Sequence, residues 1–149
     1  MKDTFSLIIG GQSLAGDRGS FAVLNPATEE VVAQCPFASP EQVDQAVKAA
    51  AEAFQSWQHS SDETRVAALG AIADKLEAHA GELAEIITLE QGKPLDLARF
   101  EVGGAVAWTR YTASLEIPVE VIEDSEVRRA ELHRKPWAWS APSRPGTGR

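Results

Sequence analysis

Few residues in this sequence could carry nucleophilic or metal chemistry. Cys35 is the only cysteine, and the histidines are His59, His79 and His133. A thiolate attacks a carbonyl carbon when a neighbouring base or positive charge lowers its pKa. Cys35 stands at the end of a strand-like run, directly before Pro36, and the sequence places no base beside it. It reads as a small buried hydrophobe. Histidines bind metal when they recur at short, fixed spacing. These three lie far apart and read as surface or packing residues. Glu29-Glu30 and Asp62-Glu63 pair carboxylates. They fall at a turn and at a helix start, where negative charge is solvated or favoured by the helix dipole. Gly146-Thr147-Gly148 has the composition of a phosphate loop, but such a loop needs a strand before it and a helix after it. The expectation is that this chain holds no catalytic, cofactor-binding or metal-binding residue.

The elements around these residues follow from the apolar pattern. Leu7-Ile8-Ile9 is a short apolar run ended by Gly10-Gly11. A loop from Ser13 to Gly19 is expected next. Phe21 and Val23, then Val31 and Val32, are β-formers on either side of Asn25-Pro26-Ala27-Thr28, whose Asn and Pro supply turn geometry. The period then changes to 3.6. Ser39-Pro40-Glu41-Gln42 has the residues of a capped helix start, and Val43, Ala46, Val47, Ala50 and Phe54 follow at helical spacing. Trp57 is expected to pack in the connection. Ser60-Ser61-Asp62-Glu63 opens a second helix with Val66, Leu69, Ile72, Ala73 and Leu76 on one face. A third follows Gly81 and stops at Gly92, a left-handed cap with Pro94 beyond it. A fourth runs from about Leu95 to Leu115. Gly103-Gly104 in its middle either weakens it or marks close helix packing. Past Pro118, Val119 and Val121 alternate like a strand, and Val127 to His133 form a second strand across a turn at Glu123-Asp124-Ser125.

Bulk properties exclude several classes. The 149 residues carry 14 basic and 22 acidic side chains, a net charge of −8. Binding to nucleic acid requires a basic face that displaces counterions, and docking on anionic membrane requires the same sign. Neither partner is expected. No apolar run approaches the roughly 20 residues of a membrane span, and no targeting segment is visible. A lone cysteine forms no internal disulfide, which points to the cytoplasm.

Taken in order, the motifs resemble one family. Phe21-x-Val23-x-Asn25-Pro26-Ala27-Thr28-Glu29-Glu30-Val31 is followed by a helix from Val43 to Ala53 that runs into Phe54-x-x-Trp57. Then come Arg65, the Leu69 to Leu76 helix, Leu89-Glu90-x-Gly92-Lys93-Pro94, and Arg134-Lys135-Pro136. This series resembles the N-terminal part of the aldehyde dehydrogenase superfamily, over Leu7 to Pro136. It corresponds to the first quarter to third of a typical member. The resemblance implies an α/β fold: N-terminal strands, about four helices, the start of the oligomerisation β-arm, and an incomplete Rossmann-like domain.

The end of the sequence departs from that pattern. From Trp137 it reads Trp-Ala-Trp-Ser-Ala-Pro-Ser-Arg-Pro-Gly-Thr-Gly-Arg. The family pattern after Arg-Lys-Pro is close to Leu-Gly-Val-Val-Gly-Ser-Ile-Thr-Pro-Trp-Asn-Trp-Pro. Codons for the observed residues, read with one base restored ahead of the first, are compatible with every residue of that pattern. The expectation is a single-base deletion at or just before the Trp137 codon. Residues 1–135 would then be the N-terminal part of the cofactor and oligomerisation region, and 136–149 an aberrant, disordered tail.

The family oxidises an aldehyde to a carboxylic acid with NAD or NADP. A cysteine thiolate attacks the aldehyde carbon, an amide and an asparagine side chain hold the oxyanion, and a glutamate activates water. The resemblance puts the cysteine and glutamate downstream of this sequence and the asparagine in the shifted frame. Cys35 does not match the nucleophile motif. The chain is therefore expected to be inactive alone and to bind neither NAD nor NADP well. A non-catalytic alternative is a protein that pairs with a full-length dehydrogenase through the strands at 117–133. Homo-oligomer formation through the same strands is the other partner expectation.

Overall fold

The computed structural model describes residues 5–138. The segment from Trp139 to Arg149, with Gly146-Thr147-Gly148, lies outside the described residues. The order of elements is β1 (Leu7–Ile9), β2 (Gln12–Leu14), β3 (Ser20–Leu24), β4 (Val31–Pro36), α1 (Pro40–Trp57), α2 (Asp62–Ala78), α3 (Ala80–Gln91), α4 (Leu95–Ala113), β5 (Glu120–Asp124) and β6 (Arg129–Leu132). The α/β class and the four helices agree with the sequence. The six strands form three separate antiparallel pairs, β1-β2, β3-β4 and β5-β6. No parallel sheet occurs among the described residues.

Several details differ from the sequence reading: β6 spans Arg129–Leu132 rather than Val127 to His133, and Val119 lies before β5. Ser13 belongs to β2 rather than to a loop. Gly10 and Gly11 have φ of 57° and 78°, the two positive values a two-residue hairpin turn needs, and Ile9 pairs with Gln12 across it. At the other end, Glu123 and Asp124 close β5 and the turn moves to Ser125. There the Ser125 amide donates to the Arg128 carbonyl at 2.9 Å. Trp57 is the last residue of α1 and stays half-exposed. It is not packed in the connection.

The helix starts are built as their sequences suggest. The Ser39 hydroxyl accepts from the Gln42 amide at 3.2 Å, and the Gln42 side chain accepts from the Ser39 amide at 3.0 Å. Ser61 accepts from the Thr64 amide at 3.3 Å. Each cap satisfies amides that have no partner inside the helix. Glu41 is held below its ordinary value of 4.5 by its own backbone amide and then by the Ser39 hydroxyl. Glu63 is held below 4.5 by the Ser61 hydroxyl and then by its own amide. A carboxylate with a depressed folded pKa contributes stability that is complete above its unfolded value and is lost as pH falls through the folded one. The fall in Tm between about pH 6 and about pH 3 should therefore be shallower in a Glu41→Gln/Glu63→Gln variant than in the parent. Parallel curves from thermal melts monitored by circular dichroism would contradict this account.

α4 packs on α2 and α3. The core there is made of small residues: Ala84, Ala98 and Val102 are buried, with Leu83, Ile87 and Leu95 packed around them. Alanines at facing positions let helix axes approach closely. Arg110 on α4 ties the pair at the surface, donating to Asp74 at 3.0 Å and Glu77 at 2.7 Å on α2. Gly103 and Gly104 sit within α4 without interrupting it, and a Cβ at either would meet nothing within 4 Å. They do not mark a close helix contact among the described residues. Among the described residues many large apolar side chains stay exposed, and every buried hydrophobic is alanine or valine.

Candidate functional site

Two of the motifs that are distant in sequence meet in space. Asn25 opens the β3-β4 turn, and its side-chain carbonyl accepts from the Ala27 amide at 2.9 Å. The Asn25 amide donates to the Glu30 carbonyl at 2.9 Å, and its carbonyl accepts from the Glu29 amide at 2.8 Å. Glu29 takes φ of 59° to complete the turn. These bonds hold Pro26 outward, against the end of α3. There Gly92 caps the helix with φ of 69°, and its amide donates to the Thr88 carbonyl. A Cβ at Gly92 would lie 2.7 Å from Cγ of Pro26. Glycine is required twice at this position, by the left-handed backbone and by the proline ring.

Gly92→Ala is accordingly expected to cost about 2 kcal/mol, from the left-handed backbone penalty plus displacement of the ring. Urea denaturation of the two chains checks it. A loss within about 0.5 kcal/mol would mean that the ring moves freely and the junction is not a fixed point.

The residues with chemical potential are not assembled. Cys35 lies on β4 opposite Phe21 and is partly buried. His79 joins α2 to α3, with Nδ1 3.3 Å from Glu82. His133 follows β6, with Nε2 2.9 Å from Glu131. Glu131 is pulled below 4.5 first by Arg129 and then by His133. These are surface contacts on separate elements. Among the described residues no group of three or more His, Cys, Asp or Glu could hold a metal ion, and no helix is long and apolar enough to cross a membrane.

Two open grooves line the helices. One, of about 540 Å³, lies along α2 and α3 between Ile72, Leu76, Leu83 and Ile86. The other, of about 730 Å³, runs from the start of α2 to Pro118. Neither contains Cys35. A dinucleotide pyrophosphate needs free amides at a helix N-terminus behind a strand and a glycine-rich turn. β4 leads into α1, but that helix start is closed: Pro40 has no amide hydrogen, and the Ser39 and Gln42 amides are taken. α2 is capped by Ser61, α3 follows α2 through His79, and α4 begins behind Pro94. Among the described residues no helix start combines a preceding strand and glycine-rich turn with free first-turn amides.

Several organising residues escape sequence reasoning. Gln42 does more than cap α1. It accepts from the Asp17 amide at 3.1 Å and donates to the Ala15 carbonyl at 2.8 Å, so it fixes the loop before β3 to the helix. Gly16 in that loop is so close to Phe37 that a Cβ would lie 2.3 Å from its carbonyl oxygen. Arg65, a motif residue without an assigned role, clamps the α1-α2 joint. It donates to Ser60 at 3.1 Å, to the Gln58 carbonyl at 3.2 Å and to Asp62 at 3.2 Å. Its only local signal is the Asp62 three residues earlier.

Comparison with known proteins places this scaffold. The model of the aldehyde dehydrogenase family matches residues 14–140. A probable aldehyde dehydrogenase of a Pseudomonas species is 46% identical over 132 residues, covering 89% of this chain and 27% of that protein. Among solved structures, an aldehyde dehydrogenase from Bacillus cereus superposes with a TM-score of 0.80 at 31% identity, over 86% of this chain and 27% of its own. A betaine aldehyde dehydrogenase from Staphylococcus aureus, solved with NAD+, superposes with a TM-score of 0.76 at 28% identity, over 80% of this chain and 25% of its own. The chain spans about a quarter of the length of these relatives.

Proposed function

The chain belongs to the aldehyde dehydrogenase family, and we propose that it is the N-terminal quarter of an oxidoreductase that converts an aldehyde to a carboxylic acid with NAD+ or NADP+ as hydride acceptor. The observation that carries this reading is the family match over residues 14–140. The NAD+ bound to the Staphylococcus relative supports a nicotinamide acceptor. On this reading the described residues supply scaffold, and the nucleophile and the dinucleotide site belong to the part of the family chain beyond them. The whole enzyme is an oligomer, and the β5-β6 hairpin is its arm toward a neighbouring subunit.

The reading frame is lost between Pro136 and Trp137. One base restored ahead of the Trp137 codon returns codons compatible with the family pattern, including its Pro-Trp-Asn. Sequencing the DNA across these codons and a few hundred bases beyond tests the proposal. The expected result is one missing base, followed in the restored frame by a long coding stretch containing a Gln-x-x-Cys motif. A stop codon after Arg149 in an intact frame, with no dehydrogenase remnant beyond it, would show the tail to be natural and the frame reading wrong.

A further inference from the structure

The β5-β6 hairpin divides its charge by strand. β5 carries Glu120, Glu123 and Asp124 and no basic residue. The returning side carries Arg128, Arg129, His133 and Arg134, with Glu131 its one carboxylate. Three ion pairs cross between the sides: Glu123 with Arg128, Asp124 with Arg129 at 3.0 Å, and Glu120 with Arg134. They run from the turn to the open end of the hairpin. Glu131 extends the set along the returning side. It accepts from Arg129 at 2.8 Å and lies 2.9 Å from Nε2 of His133. Glu126, in the turn, is the remaining charge of the segment.

Apolar burial does little to close this hairpin. No residue of β5 or β6 is buried, and Val121, Ile122, Val127 and Leu132 stay exposed. The register slips between Val121 and Glu123, so Ile122 has no partner across the ladder. Among the described residues, the side-chain hydrogen bonds and ion pairs of residues 120–134 all end inside that segment. A lone two-stranded hairpin is marginally stable in water. Exposed ion pairs are individually weak, but near balance a set of them acting on one closure decides which state is populated. We infer that the β5-β6 hairpin is a charge-latched segment, which opens as a unit and apart from the helices when its cross-strand ion pairs are screened by salt or discharged by acid. Acid removes the charge of Glu120, Glu123, Asp124, Glu126 and Glu131 and leaves three arginines and a protonated His133 to repel one another. Glu131 is held below 4.5 by Arg129 and then by His133. Its share of the latch is therefore complete above the unfolded value and is lost as pH falls through the lower folded one. Opening frees the backbone groups of both strands, so ionic strength and pH set when this segment is available to pair elsewhere. The helices respond differently, because buried Ala98, Val102 and Val106 hold α4 whatever the charge.

The test is the ratio of closed to open hairpin in the 149-residue chain, read by NMR from the Cα secondary shifts of residues 120–124 and 129–132. At about 1 M NaCl the screening length is about 3 Å. Raising the salt to that level at neutral pH should lower the ratio about fivefold or more, as expected when three weak pairs are lost together. The shifts of α2 and α4 should stay helical. At low salt, acid should open the hairpin at a higher pH than the one at which the helices melt. Glu123→Arg should open it at neutral pH and low salt. Glu123→Arg/Arg128→Glu should close it again, because the pair is restored with its charges exchanged. A ratio indifferent to salt, a double variant as open as Glu123→Arg, or helices that lose their shifts in step with the hairpin would each overturn the latch.

Discussion

Purified as 149 residues, the chain should produce no NADH or NADPH from any aldehyde above the buffer blank, and one base inserted before the Trp137 codon should bring turnover to the order of 1–10³ s⁻¹ with a suitable aldehyde. The expected gain is this large because, on the proposed reading, the groups that the restored frame supplies act together. Thiol attack, oxyanion stabilisation and water activation are interdependent, and losing one member of such a set abolishes most of the rate. Cys35 offers no substitute. It is on a strand, partly buried, across from Phe21, with no base among its hydrogen-bonded partners. The assay is absorbance at the reduced nicotinamide band, with several aldehydes and both cofactors, on protein whose mass has been verified. Turnover by the 149-residue chain that survives Cys35→Ser would overturn both the inactivity and the role of the restored frame. Turnover abolished by Cys35→Ser would make Cys35 the nucleophile.

The second large effect is expected at Gln42. Gln42→Ala should destabilise the chain by about 3 kcal/mol, an effect of the kind reserved for broken buried networks. Its side chain satisfies three backbone groups at once, the amides of Asp17 and Ser39 and the carbonyl of Ala15. Gln42 is itself buried, so water does not simply replace it, and each orphaned group carries a desolvation cost of about 1–3 kcal/mol. Gln42→Glu separates the roles. It keeps the two acceptor bonds and loses the donor to Ala15, so its loss should fall between parent and alanine variant. Chemical denaturation of the three chains measures this. A Gln42→Ala loss of about 1 kcal/mol or less would reduce the residue to a plain helix cap.

These two sites mark how far the sequence could be read. The capping box at Ser39 and Gln42 and the left-handed cap at Gly92 were legible because their signals are local, a few residues long and set by backbone hydrogen bonding. Gln42's other partners are 25 and 27 residues away, and no local pattern announces them. The same holds for the Pro26–Gly92 junction, although both motifs were recognisable separately. β2 was missed because Gln12-Ser13-Leu14 is too short to show alternation; only the Gly10-Gly11 pair before it carries the hairpin signal. Gly103-Gly104 was ambiguous in sequence, since glycine in a helix marks either weakness or close approach, and only the packing of α4 decides. The family was legible from the order of the motifs. Among the described residues no group of three or more His, Cys, Asp or Glu could hold a metal ion, as the wide spacing of the histidines suggested.

The pairing of the strands has a consequence for the timing of synthesis. Each two-stranded sheet closes on itself: β1 to β2 within residues 7–14, β3 to β4 within 20–36, β5 to β6 within 120–132. The α2-α4 clamp joins residues only 33 and 36 apart. Local contacts form early and fast, and domains of a growing chain acquire structure from the N-terminus onward. Every element here can therefore form as it leaves the ribosome, before any later segment has been translated. During translation the cell meets a segment that is folded in its backbone and greasy on its surface, the kind of surface chaperones hold and proteases inspect.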